Sequence, residues 1–314
     1  MKYLLAEQNR LFEINNTLNS FPECSGCYNW VNVFEGQVGY YDYVKEDLEK
    51  YDVVHINMVP ASFARVVDAH NRLKNSSTKL VLNNDYLPEV WGKWKEDPML
   101  YFNLQKLGDC VFGTEPIQTS QMIDGAFCIP HPTNTRQLRL FKSKGSNYLS
   151  VIYNNYDRNL YHTSLMTQRL KEEFKFKAKL LNYAKQNELH DYCKTYFDKI
   201  KGQIPFKEWI MELCTSKFAY VPHLYHGYNR AGVELACLGV PTVGSDRSYS
   251  LNVCFPDTVC NPLDFKKTRE LFQKLHLEDE FREKISKQAR EKAEFFNYAN
   301  SKQRFLEMLE SVKK

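Results

Sequence analysis

Short apolar runs rich in β-forming side chains alternate along this chain with stretches of helical spacing, and that rhythm restricts the fold more than any other feature. "YDVVHINMV" (51–59) and "TKLVLNNDY" (78–86) read as buried strands, and "ASFARVVDAHNRLKN" between them has helical spacing. Strand, helix and strand in that order make a βαβ unit, whose strands lie parallel in one sheet. "MKYLLAE" at the start, "DCVFGTE" (109–115) and "AFCIPHP" (126–132) continue the pattern.

The rhythm restarts after a polar stretch, residues 131–147, that carries Pro132 and Gly145 and serves as the linker candidate. "YLSVIYN" (148–154), "KFAYVPH" (217–223) and "VPTVGSD" (240–246) are the strands of this second half. The 161–186 stretch is expected to be largely helical, and from about 266 the chain is expected to be almost all helix. With 314 residues, two domains of ordinary size are expected. No repeat of solenoid period and no low-complexity segment interrupts them.

No apolar run reaches the roughly 18 residues of a membrane span, and the start turns polar too early for a signal peptide, so a cytoplasmic location is expected. Nine cysteines, an odd number, then read as reduced thiols. Cys24 and Cys27 form one C-x-x-C that would suit a redox pair or half a zinc site. No second such pair exists, and His55, His223 and His226 lack a carboxylate at ligand spacing, so no metal is expected. The net charge of +4 hides an asymmetry: residues 1–145 hold 15 Lys and Arg against 17 Asp and Glu. A dedicated nucleic-acid binder would concentrate positive charge more strongly.

The segment "HLYHGYNRAGVELACLGVPTVGSD" (223–246) carries the most chemistry. It follows a strand, and in open α/β sheets ligands sit beyond the carboxyl ends of strands. A helix beginning near Asn229 and Arg230 would aim its first N–H groups and dipole at an anion such as phosphate. Gly227 and Gly232 would allow a close approach of backbone to a diphosphate. Glu234, about one turn in, suits a pair of sugar hydroxyls. The plainer reading stays open here: Gly227 ends a strand, Glu234 is a solvated helix residue and Gly239 caps the helix.

The same segment resembles the C-terminal half of retaining, nucleotide-sugar-dependent glycosyltransferases of the GT-B fold that carry an E-x7-E motif. It keeps Gly227, the aromatic Tyr228, Glu234, Gly239, Pro241 and the small-residue strand after them. "YDVVHINMVPASFARVVDAHNRLKNSSTKLVLNNDYLPEVW" and "LGDCVFGTEPIQTSQM…FCIPHPTN" are similar to earlier segments of that family, in the right order. The resemblance implies two Rossmann-like α/β domains, an acceptor-side domain over 1–143 and a nucleotide-sugar domain over 144–290. A helix over 291–314 would then pack back on the first domain. It implies a sugar transferred from a UDP- or GDP-type donor to a hydroxyl of a glycan or a small molecule. Beyond that donor no cofactor is implied, and no divalent metal is obligatory.

By the same resemblance Glu234 binds the ribose, Gln203 and Ile204 meet the base, and Arg158 with the backbone of Gly227, Tyr228, Asn229 and Arg230 faces the diphosphate. His226 stands where the family has its first glutamate, and Asn84 where it has a histidine before an aspartate. His226, Asn84, Asp85 and His55 are therefore the candidate catalytic residues. The family's N-terminal glycine-rich loop is missing. These departures leave donor binding better supported than transfer by the usual residues, and a catalytically silent nucleotide-sugar binder is the alternative. Trp30, Trp91 and Trp94 would stack on a sugar ring or an exposed base, and a phage- or virus-encoded enzyme modifying DNA bases is a further alternative. The lysine- and aromatic-rich 166–201 stretch is a candidate for peripheral membrane contact. A dinucleotide-dependent epimerase would need G-x-G-x-x-G after the first strand, which is absent.

Overall fold

The computed structural model describes residues 1–6, 26–39, 47–59, 62–85, 97–141, 146–153, 160–182, 195–202 and 204–312. Two compact units result: Met1–Asn134 with Phe296–Lys314, and Thr135–Phe295. The first break falls inside the polar 131–147 stretch but earlier than residue 143, and the second follows Phe295 rather than residue 290. The earlier break has a packing reason, because the helix Thr135–Leu138 packs against the helix Arg230–Leu238 of the second unit.

In the first unit, β1 (Tyr3–Ala6), β2 (Gln37–Gly39), β3 (Val53–Asn57), β4 (Lys79–Asn84), β5 (Cys110–Gly113) and β6 (Phe127–Cys128) form one sheet. Its order is β2-β1-β3-β4-β5-β6, and every pair is parallel. Successive side chains of a strand point to opposite faces, and a parallel sheet buries both. Leu4, Val54, Ile56, Leu80, Leu82 and Val111 accordingly pack with Val66, Leu73, Tyr101 and Leu104 on one side. Tyr3, Leu5, Val53, Val81, Cys110 and Phe112 pack on the other with Trp30, Phe34, Phe305 and Met308. Phe305 belongs to the C-terminal helix Tyr298–Ser311, and its ring centroid lies 4.9 Å from Trp30 and 5.0 Å from Phe34.

The second unit repeats the plan with β7 (Tyr148–Tyr153), β8 (Lys177–Asn182), β9 (Lys199–Lys201), β10 (Phe218–Val221), β11 (Thr242–Ser245) and β12 (Val259–Cys260). The order is β12-β11-β10-β7-β8-β9, again all parallel. One expectation fails here. The 161–186 stretch is not one long helix: the helix Leu160–Phe174 stops at Lys175, whose φ of 57° is left-handed, and β8 follows. Lys179 in β8 is buried, with its Nζ donating to the Glu212 carbonyl and to Thr215 Oγ1. Burial pulls its pKa down to about 8, against the opposing pull of Glu212. Of the 166–201 stretch read as a candidate for membrane contact, residues 183–194 lie outside the described residues, and Lys179 is turned into the interior. Among the described residues no helix is long and apolar enough to cross a membrane, and their seven cysteines are free.

Candidate functional site

In the first unit the chemistry gathers beyond the carboxyl end of β4. Asp85 follows that strand, Cys27 precedes the helix Tyr28–Phe34, and His131 lies just after β6. Asp85 Oδ1 accepts from Asn83 Nδ2 at 2.8 Å and from His131 Nε2 at 2.8 Å. The Cys27 thiol faces Oδ2 at 3.6 Å. Trp30 Nε1 donates to His131 Nδ1 at 3.3 Å. Further inward, Tyr3 Oη donates to His55 Nδ1, and His55 Nε2 donates to Asn83 Oδ1 at 2.7 Å. Donors thus run in one direction, tyrosine to histidine to asparagine, and end on the carboxylate; such oriented chains polarise one another.

Burial lowers the His55 pKa to about 3, so the imidazole is neutral. Burial likewise pushes the Tyr3 phenol well above its usual range. For Asp85, burial alone would raise the pKa, but the His131 imidazole and the Cys27 thiol outweigh it and hold the carboxyl below its ordinary value. Its side chain is 22% exposed and that of His131 6%. Of the candidate catalytic residues, only Asp85 among those on this sheet meets solvent. His55 is instead a core histidine with both ring nitrogens engaged by protein groups, and Asn84 is fully buried beside Leu82 on the opposite pleat.

In the second unit, the loop after β10 is stitched to the segment after β11. Gly227 N–H donates to the Arg247 carbonyl, and Tyr249 and Ser250 N–H donate back to the carbonyls of Gly227 and Tyr228. Asn229, left-handed at φ 53°, precedes the helix Arg230–Leu238 and gives it no side-chain cap. Its carbonyl accepts from Ser250 Oγ at 2.6 Å. A β-carbon on Gly232 would fall 2.2 Å from Ser250 Oγ, and one on Gly227 3.2 Å from His223 Nε2. On the side a β-carbon would occupy, both glycines thus lie against protein side chains. His226 is half-buried in this loop and Tyr228 is buried.

Glu234 is 1% exposed, which removes the solvated reading. Its Oε2 accepts from the Trp209 indole at 2.7 Å, and Arg230 Nε lies 2.6 Å from Oε1 as a close ion pair rather than an aligned hydrogen bond. The Arg230 guanidinium also covers the Phe206 ring at 5.0 Å. A carboxylate has about four acceptor positions, so these two partners leave it acceptor capacity. Ile204 is half-buried just before the helix Phe206–Cys214. Arg158, Gln203, Trp91, Trp94 and Cys24 lie outside the described residues.

Sequence reasoning missed His131, Asn83 and Trp209. His131 meets Asp85, Asn83 meets His55 and Trp209 meets Glu234 across 46, 28 and 25 residues of sequence, and only the indole of Trp209 carries a visible signal, a polar tip on an otherwise apolar helix face.

No protein-family model matches the sequence, and no curated protein matches it. Among solved structures, the chain is similar to the trehalose-6-phosphate synthase OtsA (TM-score 0.68, 12% identity, 95% of this chain and 80% of that one). It is similar to the E. coli trehalose-6-phosphate protein bound with UDP-2-fluoro glucose (TM-score 0.67, 11% identity, 91% of this chain and 78% of that one). It is also similar to an alpha-glucosyltransferase in complex with UDP and a 13-mer DNA (TM-score 0.64, 12% identity, 99% of both chains). Two six-stranded parallel sheets flanked by helices, superposing on these proteins, give this chain the GT-B fold.

Proposed function

We propose that this chain, folded as a GT-B protein, is a retaining glycosyltransferase that moves a sugar from a nucleoside diphosphate sugar, of UDP or GDP type, to a hydroxyl. The second unit holds the donor and the first holds the acceptor. The observation that carries the reading is the buried Glu234, set one turn inside a helix beyond the carboxyl end of β10 and braced by Trp209 and Arg230. That placement puts spare carboxylate lone pairs beside a helix N-terminus, where a ribose and a diphosphate would lie next to each other. Leaving-group charge would be met by helix N–H groups, Arg230 and Arg158, without an obligatory divalent ion. Asp85 would take the acceptor hydroxyl.

Titration with UDP, GDP, ADP and TDP sugars, followed by thermal stability in the wild type and Glu234→Gln, tests the donor half. One nucleotide series is expected to stabilise the wild type and to do so less in the variant. No shift with any sugar sinks the reading. Proton NMR of the product's anomeric centre reads retention directly, and binding without turnover across acceptors leaves the silent-binder alternative.

A second reading, a DNA base as acceptor, is favoured by the end-to-end match with the DNA-bound alpha-glucosyltransferase. Ordinary bases offer no hydroxyl, so duplexes with and without hydroxymethylated bases are the substrates to compare. Transfer to the hydroxymethylated duplex alone is the expected result under this reading.

A further inference from the structure

We infer that His131 is a positioning residue for the transfer: its Nε2–H holds one oxygen of Asp85 and so presents the other to the acceptor hydroxyl. The inference rests on the reading of Asp85 as the group that meets the acceptor. Three observations carry it.

Direction comes first. An indole nitrogen only donates, so the Trp30 N–H at 3.3 Å makes His131 Nδ1 the acceptor and leaves the ring proton on Nε2, 2.8 Å from Asp85 Oδ1. Asymmetry comes second. Asn83 Nδ2 donates to that same Oδ1, whereas Oδ2 faces the Cys27 thiol, a weak donor, at 3.6 Å. One oxygen is saturated and the other keeps acceptor capacity. Construction comes third. A β-carbon at Gly26 would fall 2.3 Å from the His131 ring, so glycine there lets the ring lie on the backbone. The next residue, Pro132, is held through its carbonyl by Asn29 at 2.8 Å, and Asn29 is held by the Tyr298 hydroxyl at 3.1 Å.

Cys27, Asp85 and His131 also place their ligand atoms within 4.8 Å of one another, the atom types of a zinc site. The Trp30 bond opposes that use. A metal on Nε2 requires the proton on Nδ1, where it would confront the indole N–H. A thiol–imidazole–carboxylate relay fails on the same geometry, because thiol and carboxylate share one ring nitrogen instead of bracketing the ring.

The first test needs no substrate. Carbon-13 NMR of side-chain carboxylates follows Asp85 in the wild type, His131→Ala and His131→Gln, with Asp85→Asn for assignment. His131, Cys27 and His55 are the titratable groups facing Asp85. Its titration is expected to move upward in His131→Ala and to return in His131→Gln, whose amide N–H replaces Nε2–H. An unmoved titration overturns the inference. The same proteins are then supplied with UDP-glucose and GDP-mannose in the presence of hydroxyl acceptors. In His131→Ala, kcat is expected to fall about a hundredfold at unchanged donor KM, with recovery in His131→Gln. Equal kcat overturns the positioning role and leaves the transferase reading intact. Donor binding without turnover in the wild type overturns the transferase reading and this inference with it. Stoichiometric binding of added zinc chloride, lost in Cys27→Ser and Asp85→Asn, would replace the inference with a metal centre.

Discussion

Gly26 lies against the ring of His131 so closely that a β-carbon on the glycine would sit 2.3 Å from Cδ2 and 2.4 Å from Cγ. The contact explains how a histidine distant in sequence comes to face Asp85. Gly26→Ala must push the ring away, at about 1–3 kcal/mol for overpacking. The outcome is read as a lower urea midpoint, together with a nucleotide-sugar titration that stays at wild-type values because the residues proposed to hold the donor belong to the other unit.

Glu234 and Arg230 form a close pair in which the carboxylate is 1% and the guanidinium side chain 13% exposed. Removing one charge from such a pair leaves the other without compensation, at about 3–5 kcal/mol. Arg230→Met is therefore expected to destabilise strongly, and Arg230→Met with Glu234→Gln to cost less than the sum of the singles. Additive losses in a double-mutant cycle would show that the pair is not coupled.

The C-terminal helix is part of the first unit's core through Phe305, which is fully buried among Tyr3, Trp30, Phe34 and Phe112. Phe305→Ala is expected to cost about 3–5 kcal/mol, read as a shift in denaturation midpoint. Leu309→Ala, on a partly buried position of the same helix, is expected to cost less. Apolar positions give this helix its face, and the resemblance to the GT-B family gives its partner, the first domain; periodicity alone never says what covers a face.

His55 makes stability depend on pH. Its folded pKa of about 3 lies below the ordinary value near 6.5, so the unfolded chain binds the extra proton between those limits. Stability from this group is complete above pH 6.5 and falls as pH drops toward 3, with a limiting slope of one proton. Urea unfolding at pH 7, 5 and 4 measures the slope, and His55→Gln is expected to flatten it. Asp85 acts lower: its depressed pKa contributes stability above the ordinary carboxylate value near 3.9 that is lost as pH falls through the folded value.

Gly232 makes room for Ser250, whose Oγ lies 2.2 Å from where a β-carbon would be. Gly232→Ala is expected to cost about 1–3 kcal/mol, with partial recovery in Gly232→Ala with Ser250→Ala. Full tolerance of the single variant, seen as an unchanged melting curve, would count against this packing role.

Local sequence determined the parts. Val53–Asn57 and Lys79–Asn84 announce themselves as strands through apolar runs between turn residues, and Gly239, left-handed at φ 69°, announces the end of the Arg230–Leu238 helix. These signals are short-range, carried by side-chain period and by the few residues that tolerate special backbone angles. Partnership is long-range. Asp85 with His131, Glu234 with Trp209, and Gly232 with Ser250 meet only after sheets and helices have packed, because which pleat or helix face a residue occupies depends on every element between the two. His55 shows the limit most plainly: the same "DVVHINM" that fixes a strand gives no account of whether its histidine ends at a surface or, as here, in the core between Tyr3 and Asn83.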